Sequence, residues 1–182
     1  MAKRENHYER AFQRYLRVER IPYVSVNESR RSLCGDRSLK SVDFLVSPVV
    51  SDYSYIIDIK GRQFPSGRQK QYFKNWTTED DLTSLARWET VFGPRFRGLF
   101  VFAYNVVGDQ APLPADQLFS FEDHLYGFVA IRLDLYVGWS RPLSPRWKTV
   151  AMPTARFREL AVPVGQFFQE ATYSGISAAD RR

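Results

Sequence analysis

The residues in this sequence best suited to chemistry are an aspartate and a lysine two positions apart. Asp58 and Lys60 lie in the segment IIDIKG. Residues i and i+2 of a β-strand point to the same side, so the carboxylate and the ammonium group would emerge together. They would flank the carbonyl of Ile59, and a carboxylate with a carbonyl oxygen suits Mg²⁺ or Mn²⁺. An Asp-x-Lys pair is common, however, and taken alone it is better explained as a surface ion pair.

A second acid, Asp43, lies in the preceding apolar segment SVDFLV. The two segments are close enough in sequence to pair as an antiparallel hairpin, which can bring Asp43 beside Asp58 on one face. Two neighbouring carboxylates repel each other unless a cation lies between them. The alternative is that Asp43 faces solvent on a half-exposed sheet, and these residues alone do not decide between the two.

A third acid, Glu9, borders the apolar stripe of an N-terminal segment with helical periodicity. Around the helix axis Glu9 lies close to the direction of Leu16, so it could border the sheet on which the helix packs. Taken alone, Glu9 is better explained as a solvated glutamate paired with Gln13 or Arg10.

The acids and the lysine must be positioned by a mixed order of helices and strands. Periodicity predicts a helix over about 5–20, then strands over 22–26, 39–47 and 53–61, a helix over 78–92, and a strand over 97–107. Thr78 and Asp81 fit a capping box at the start of the second helix. The last strand is strongly apolar, so we expect it to be central in the sheet.

The remainder of the chain predicts a β-rich C-terminal extension. We expect a loop over 108–117, strands over 126–139 and 147–152, and a short helix over 154–161. The small and charged residues at the end predict a frayed tail over about 169–182. The chain is therefore expected to form a single domain over 1–168, with a core over about 5–107 and the extension over about 108–168.

The segments HYERAF, SVDFLV and IIDIKG, in this order, resemble the PD-(D/E)XK nuclease superfamily. The order of helix, three strands, helix and strand is similar to its core. DDLTSLARWETVFG followed by RGLFVFAY is similar to the helix and last core strand of its Holliday junction resolvase-like members. The resemblance covers roughly residues 5–107. Two departures are Asp58, where many members have glutamate, and Val42, where many have proline before the first strand acid.

This resemblance implies a restriction endonuclease-like α/β fold, with the core built around a central mixed sheet. It implies that Asp43, Asp58 and the Ile59 carbonyl bind Mg²⁺ or Mn²⁺, that Glu9 holds a water or a second ion, and that Lys60 positions the attacking water. The expected activity is phosphodiester hydrolysis by an endonuclease, with DNA as the favoured substrate, in repair, recombination or foreign-DNA defence. A homodimer is also compatible with the resemblance.

Charge supports a polyanionic partner. The chain has a formal net charge of +6 and a pI of about 9.5, which favours nucleic acid. The loop after the Asp-x-Lys strand is basic and aromatic, and it leaves the expected site directly. Its candidate contact residues, together with one lysine upstream, are Arg62, Arg68, Lys70, Lys74, Trp76 and Lys40. The alternative is a solvated basic loop whose aromatic residues pin it to the core. The segment RPLSPRWKT (141–149) is a weaker candidate, better explained as a turn that leads into a strand.

Composition argues against several other classes of protein. One cysteine and two histidines leave no disulfide framework and argue against a Cys- or His-based metal cage. The sequence shows no signal peptide and no apolar run of membrane-spanning length, so we expect a cytoplasmic protein that binds no membrane. Two alternatives to a nuclease stay open. One is a nucleic-acid-binding module of the same fold that does not cleave, and the other is a basic protein-interaction domain.

Overall fold

The computed structural model describes residues 6–26, 32–34 and 37–169. The helices are α1 (His7–Val18), α2 (Glu79–Phe92), α3 (Leu133–Trp139), α4 (Thr154–Leu160) and α5 (Gly165–Phe168). The strands are β1 (Tyr23–Ser25), β2 (Ser32–Cys34), β3 (Arg37–Leu39), β4 (Phe44–Val46), β5 (Ser54–Phe64), β6 (Thr77–Thr78), β7 (Phe96–Val106), β8 (Phe119–Phe121), β9 (His124–Arg132), β10 (Arg141–Ser144), β11 (Thr149–Ala151) and β12 (Val162–Pro163). A short 3₁₀ helix, Ala115–Gln117, interrupts the loop before β8.

A mixed seven-stranded sheet forms the centre of the molecule. Its strands lie in the order β1-β4-β5-β7-β9-β12, with β8 beside β9. Strands β5 and β7 are parallel along their whole length, and the other neighbours are antiparallel. The central position expected for β7 is confirmed, because β5 and β9 flank it. Its side chains are buried over most of its length, as a strand covered on both faces requires.

Alternation along β5 sends its side chains into two different cores. Ile57 and Ile59 lie in the core covered by α1, whereas Ile56 lies in the core covered by α2. Asp58 and Lys60 have the same parity as Ile56, so they face the α2 side of the sheet. The strand period therefore fixes which helix is the neighbour of the candidate site.

Helix α1 packs where the sheet carries a glycine. Asn6 caps the helix by accepting a hydrogen bond from the backbone N–H of Tyr8, and Phe12 and Leu16 are fully buried against the sheet. The ring of Tyr8 occupies the space that a Cβ on Gly61 would fill. The N-terminal turn of α1 therefore lies directly on β5, close to the Asp-x-Lys segment.

The capping box predicted for α2 is confirmed. The side chain of Thr78 accepts from the Asp81 N–H at 3.1 Å, and the Asp81 carboxylate accepts from the Thr78 N–H at 3.1 Å. Gly93 ends the helix with a φ of 90°, a conformation that glycine adopts without strain.

The strand expected over 39–47 is shorter than predicted. Only Phe44–Val46 form a strand, although Arg37–Leu39 pair with Ser32–Cys34 in a separate ribbon. Tertiary contacts account for the interruption. The backbone N–H of Lys40 donates to the Ser84 side chain on α2, and the Asp43 carboxylate takes the Ile59 N–H in place of a ladder partner.

The strand expected over 126–139 is correct in its first half and wrong in its second. The chain leaves β9 at Arg132 and forms helix α3. Leu133 and Tyr136 are buried three positions apart, and the Tyr136 hydroxyl donates to the Asn75 carbonyl at 2.6 Å. The alternating apolar pattern therefore continues into a short helix with one buried face, and this face contacts the loop before β6.

The C-terminal extension is partly built into the central sheet, through β9 and β12. The expected strand at 147–152 and helix at 154–161 are present as β11 and α4. Strands β10 and β11 join β6 in a three-stranded sheet. Across the described residues, every helix is too short or too polar to cross a bilayer. The predicted tail lies almost entirely outside the described residues.

Candidate active site

The pairing of β4 with β5 places Asp43 next to the segment that contains Asp58 and Ile59. The register places Phe44 opposite Ile57, and the backbone N–H of Asp43 also donates to the Ile57 carbonyl at 3.0 Å, so Asp43 lies across from the residue that precedes Asp58. Asp43 is only 4% exposed, and its carboxylate accepts a hydrogen bond from the Ile59 N–H. The alternative of a solvent-facing Asp43 is therefore wrong.

The carbonyl of Ile59 points to the same edge of β5. In a strand, the N–H and C=O of one residue point to the same neighbouring strand. The Ile59 N–H is held by Asp43, so the Ile59 carbonyl also points toward the beginning of β4. Two carboxylates and this carbonyl therefore lie around the position where β4 begins.

Lys60 links the two sides of the site through ion pairs. Its ammonium group lies 2.8 Å from the Asp58 carboxylate and 3.0 Å from that of Asp81 on α2. The side chain is 15% exposed. Burial disfavours the charged ammonium, but the two carboxylates outweigh that effect and raise the pKa of Lys60. The two carboxylates therefore favour the charged form of Lys60.

Asp81 is a member of this cluster that the sequence predicted only as a helix cap. Its carboxylate also binds the ammonium group of Lys40 at 2.7 Å and the hydroxyl of Thr77 at 2.8 Å. Burial alone would raise the pKa of the Asp81 carboxyl, but Lys60, Lys40 and Thr78 together hold it well below its usual range. The signal in the sequence that could have identified Asp81 as part of the site is its position, an acid in the first turn of the helix that follows the Asp-x-Lys strand.

Glu9 lies in the first turn of α1, half-buried, and accepts a hydrogen bond from the Asn6 side chain at 2.5 Å. Its neighbours His7 and Arg10 bind Tyr126 and Glu122 on the β8–β9 side of the helix. Rotation by about 100° per residue therefore places Glu9 on the flank of α1 nearer to β4.

Glu9 does not complete a three-acid cluster. Within 6–26, 32–34 and 37–169, no three His, Cys, Asp or Glu side chains lie close enough together to hold a metal ion. The structure therefore brings Asp43 and Asp58 together and adds Lys60, while Glu9 approaches from the neighbouring helix without joining them.

Arg62 and Trp76, two of the predicted nucleic-acid contacts, bind each other in the structure. The guanidinium of Arg62 lies 4.2 Å from the centre of the Trp76 ring and donates to the carbonyls of Gly61 and Trp76. Burial lowers the pKa of Arg62. This stacked pair closes the base of the loop between β5 and β6 and stabilises the loop there.

The other expected contact residues have different environments. Arg68 and Lys70 are exposed and Lys74 is half-buried, whereas Lys40 is engaged with Asp81. The aromatic residues of the loop pack on the core, where Phe64 contacts Tyr72 and Phe73 edge-on. The alternative interpretation is therefore correct for those aromatic side chains, and Arg68 and Lys70 stay predicted contacts.

No protein-family model and no curated protein sequence matches the chain. Among solved structures, the chain is similar to Hjc, a Holliday junction resolvase from the archaeal hyperthermophile Archaeoglobus fulgidus. The TM-score is 0.50 at 10% sequence identity, and the match covers 90% of this chain and 98% of the resolvase. At this identity the likeness shows the fold. The expected restriction endonuclease-like arrangement around a mixed central sheet is thereby confirmed.

Proposed function

We propose that this protein is a metal-dependent nuclease that hydrolyses phosphodiester bonds at the β4–β5 hairpin. The observation that carries the proposal is the Asp43 carboxylate bound to the Ile59 N–H, next to Asp58, with Lys60 paired to Asp58. This arrangement occurs in a fold shared with a Holliday junction resolvase, and that shared fold supports the assignment to nucleic-acid chemistry.

The donor set suits a hard divalent cation. Asp43, Asp58 and the Ile59 carbonyl offer only oxygen atoms, as Mg²⁺ and Mn²⁺ prefer. Glu9 lies on the β4 flank of α1, and it would become a further ligand if its side chain rotated toward the cation. A bound cation would supply Lewis acidity and would activate water for attack on a phosphodiester.

The chain's own residues position the reactants. Lys60 carries a fixed charge that can attract a phosphate oxygen and orient the attacking water. The hydrogen bond from the Ile59 N–H holds the Asp43 carboxylate in one orientation. Asp81 holds the Lys60 ammonium group from the α2 side, so the lysine does not have to be ordered when substrate binds.

We favour DNA as the substrate and internal cutting as the mode of action, with roles in repair, recombination or foreign-DNA defence. The net charge of +6 supports a polyanionic substrate. The exposed Arg68 and Lys70 lie in the loop that leaves β5, where they can contact phosphates on either side of the site.

The test is cleavage of plasmid and branched DNA in Mg²⁺ or Mn²⁺, with chelator as the blank. Asp58→Asn and Lys60→Ala are each expected to reduce the rate by about 100-fold or more, since each removes a group that stabilises charge in the transition state. The matched control is Asp134→Asn, an exposed acid that pairs with Arg132 on the surface. It should cut at the wild-type rate.

Metal-dependent cutting that persists in Asp58→Asn or Lys60→Ala would place the active site elsewhere. Binding of DNA by the wild type without cutting in either metal would instead support the non-cleaving nucleic-acid-binding module. Failure to bind DNA at low salt would favour the basic protein-interaction domain.

A further inference from the structure

We propose that the hairpin β10–β11 is a second contact for nucleic acid, which holds an unpaired nucleotide by stacking on Trp147. The inference rests on the proposed function for the class of substrate. It deepens that function, because it adds a surface that binds the single-stranded part of the substrate.

The first observation is the exposure of Trp147. The side chain is 69% exposed, and the Arg146 guanidinium lies 5.3 Å from the ring centre. Trp76 is stacked against Arg62, and the Trp88 indole donates to the Lys40 carbonyl. Those two tryptophans are therefore used by the fold, whereas the indole of Trp147 extends into solvent.

The second observation is the charge around the indole. Arg141, Arg146 and Lys148 are all exposed, and the segment 141–148 contains no acidic residue. Cations that flank an exposed aromatic ring are what a groove for a single strand combines, since the cations contact phosphates while the ring stacks on a base.

Two backbone N–H groups donate hydrogen bonds within the tip of the hairpin. The backbone N–H of Trp147 donates to the Ser144 hydroxyl at 3.4 Å, and the backbone N–H of Lys148 donates to the Pro145 carbonyl at 3.3 Å. Lys148 has a φ of 46°, a left-handed conformation that is uncommon for a residue other than glycine. These contacts close the turn that carries Trp147.

The hairpin is connected directly to the candidate active site. Thr149 of β11 pairs with Thr78 of β6, and the Glu79 N–H donates to the Lys148 carbonyl at 2.9 Å. Thr78 caps the helix that carries Asp81, and Asp81 binds Lys60. A short chain of contacts thus joins the residue after Trp147 to the Asp-x-Lys pair.

The hairpin also lies on the correct side of the sheet. Val150 and Met152 are buried in the same core as Ile56, the core covered by α2. Asp58 and Lys60 face this side of β5. The hairpin and the side chains of Asp58 and Lys60 therefore lie on the same side of the central sheet.

The chemistry of the indole indicates an unpaired base. In a duplex, the faces of the bases are already covered by their neighbours, and only the edges are open in the grooves. A flat aromatic ring gains most from a base whose face is free, as in a single strand, a frayed end or the arm of a branch. The inferred ligand is therefore the single-stranded part of a substrate that is cut nearby.

The test measures binding in chelator, so that no cleavage occurs. Fluorescence anisotropy would follow a labelled 15-nucleotide oligo-dT strand and a labelled 15-base-pair duplex. Trp147→Ala is expected to weaken binding of the single strand by about 5-fold to 150-fold, the range for loss of one stacked base. Binding of the duplex should change by less than about 2-fold, and Trp147→Phe should restore most of the loss on the single strand.

Two control variants separate stacking from general effects. Leu143→Ala removes another exposed apolar side chain, 58% exposed, from the same hairpin, and Trp139→Ala removes an exposed tryptophan outside it. Both should bind the single strand as the wild type does. Equal affinity of wild type and Trp147→Ala for the single strand, or equal losses on strand and duplex, would overturn the inference. The plasmid assay in metal decides the proposed function separately, because cutting is not measured here.

Discussion

At the scale of single residues, the candidate site is a row of alternating charges. Lys60 lies between the carboxylates of Asp58 and Asp81, and Asp81 in turn lies between Lys60 and Lys40. Burying charges is costly unless each one has a partner. Asp81 supplies that partner for both lysines while it also caps α2, so one carboxylate couples the start of a helix to the position of the candidate lysine.

The substitution Asp81→Asn is predicted to destabilise the protein by about 2 kcal/mol at pH 7, because it removes charge-assisted hydrogen bonds from a buried group. The folded protein lowers the pKa of Asp81. Its stabilising contribution is therefore complete above the ordinary carboxyl pKa of about 4 and is lost as the pH falls toward the lowered value. Urea unfolding of both proteins should show a difference that is large at pH 7 and smaller at pH 3.

The matched control for this prediction is Asp80→Asn. Asp80 precedes Asp81 on α2 and lies 3.7 Å from the same Lys40 ammonium, but it is exposed. Exposed ion pairs contribute about 1 kcal/mol or less. A loss of stability in Asp80→Asn as large as that in Asp81→Asn would show that burial of Asp81 is not the source of its effect.

At the scale of elements, the placement of α1 on the sheet depends on one glycine. Gly61 follows Lys60 on β5, and the Tyr8 ring fills the volume above it. This close approach lets the first turn of α1, which carries Glu9, lie directly on β5. The position of Glu9 relative to β5 is therefore set by the packing between a helix and a strand.

Gly61→Ala is predicted to reduce stability by about 1–3 kcal/mol, the usual cost of forcing extra volume into a packed contact. Displacement of Tyr8 would also move Glu9, so the cleavage rate should fall more than the loss of folded protein explains. Gly138→Ala is the control, because nothing lies within 4 Å of its added Cβ in helix α3. It should be neutral or slightly stabilising in thermal unfolding. Unchanged stability in Gly61→Ala would mean that α1 does not require this close packing.

At the scale of the whole molecule, the surplus of positive charge should govern the affinity for nucleic acid. Release of counterions lowers affinity as salt increases, with a slope in a log–log plot of about −0.9 for each phosphate contact to duplex DNA. The cations of the β10–β11 hairpin are expected to supply up to three such contacts to a forked substrate.

Removing Arg141, Arg146 and Lys148 together, by alanine substitution, should reduce the magnitude of the salt slope by about 2 to 3. The measurement is a salt titration of forked-DNA binding in chelator. The control replaces three other exposed arginines, Arg14, Arg87 and Arg95, which changes the net charge equally. If both triple variants shift the slope by the same amount, net charge and not the hairpin sets the affinity.

The sequence by itself determined the features that depend on neighbours along the chain. The period of two in SVDFLV and IIDIKG predicted two paired strands, and the structure pairs β4 with β5. Thr78 and Asp81 predicted the capping box because a cap is formed within one turn. The run of apolar residues in β7 predicted a central strand, because a strand covered on both faces requires such residues at every position.

Only the tertiary structure decided the features that depend on residues far apart in sequence. Asp81 joins Lys60 because α2 packs on the same face of β5, and Arg62 and Trp76 bind each other because the intervening loop folds back. Residues 133–139 form a helix, and its buried Tyr136 donates to a carbonyl before β6. An apolar pattern records how much surface must be buried and with what period, but the partner that buries it is chosen by the packing of the whole chain.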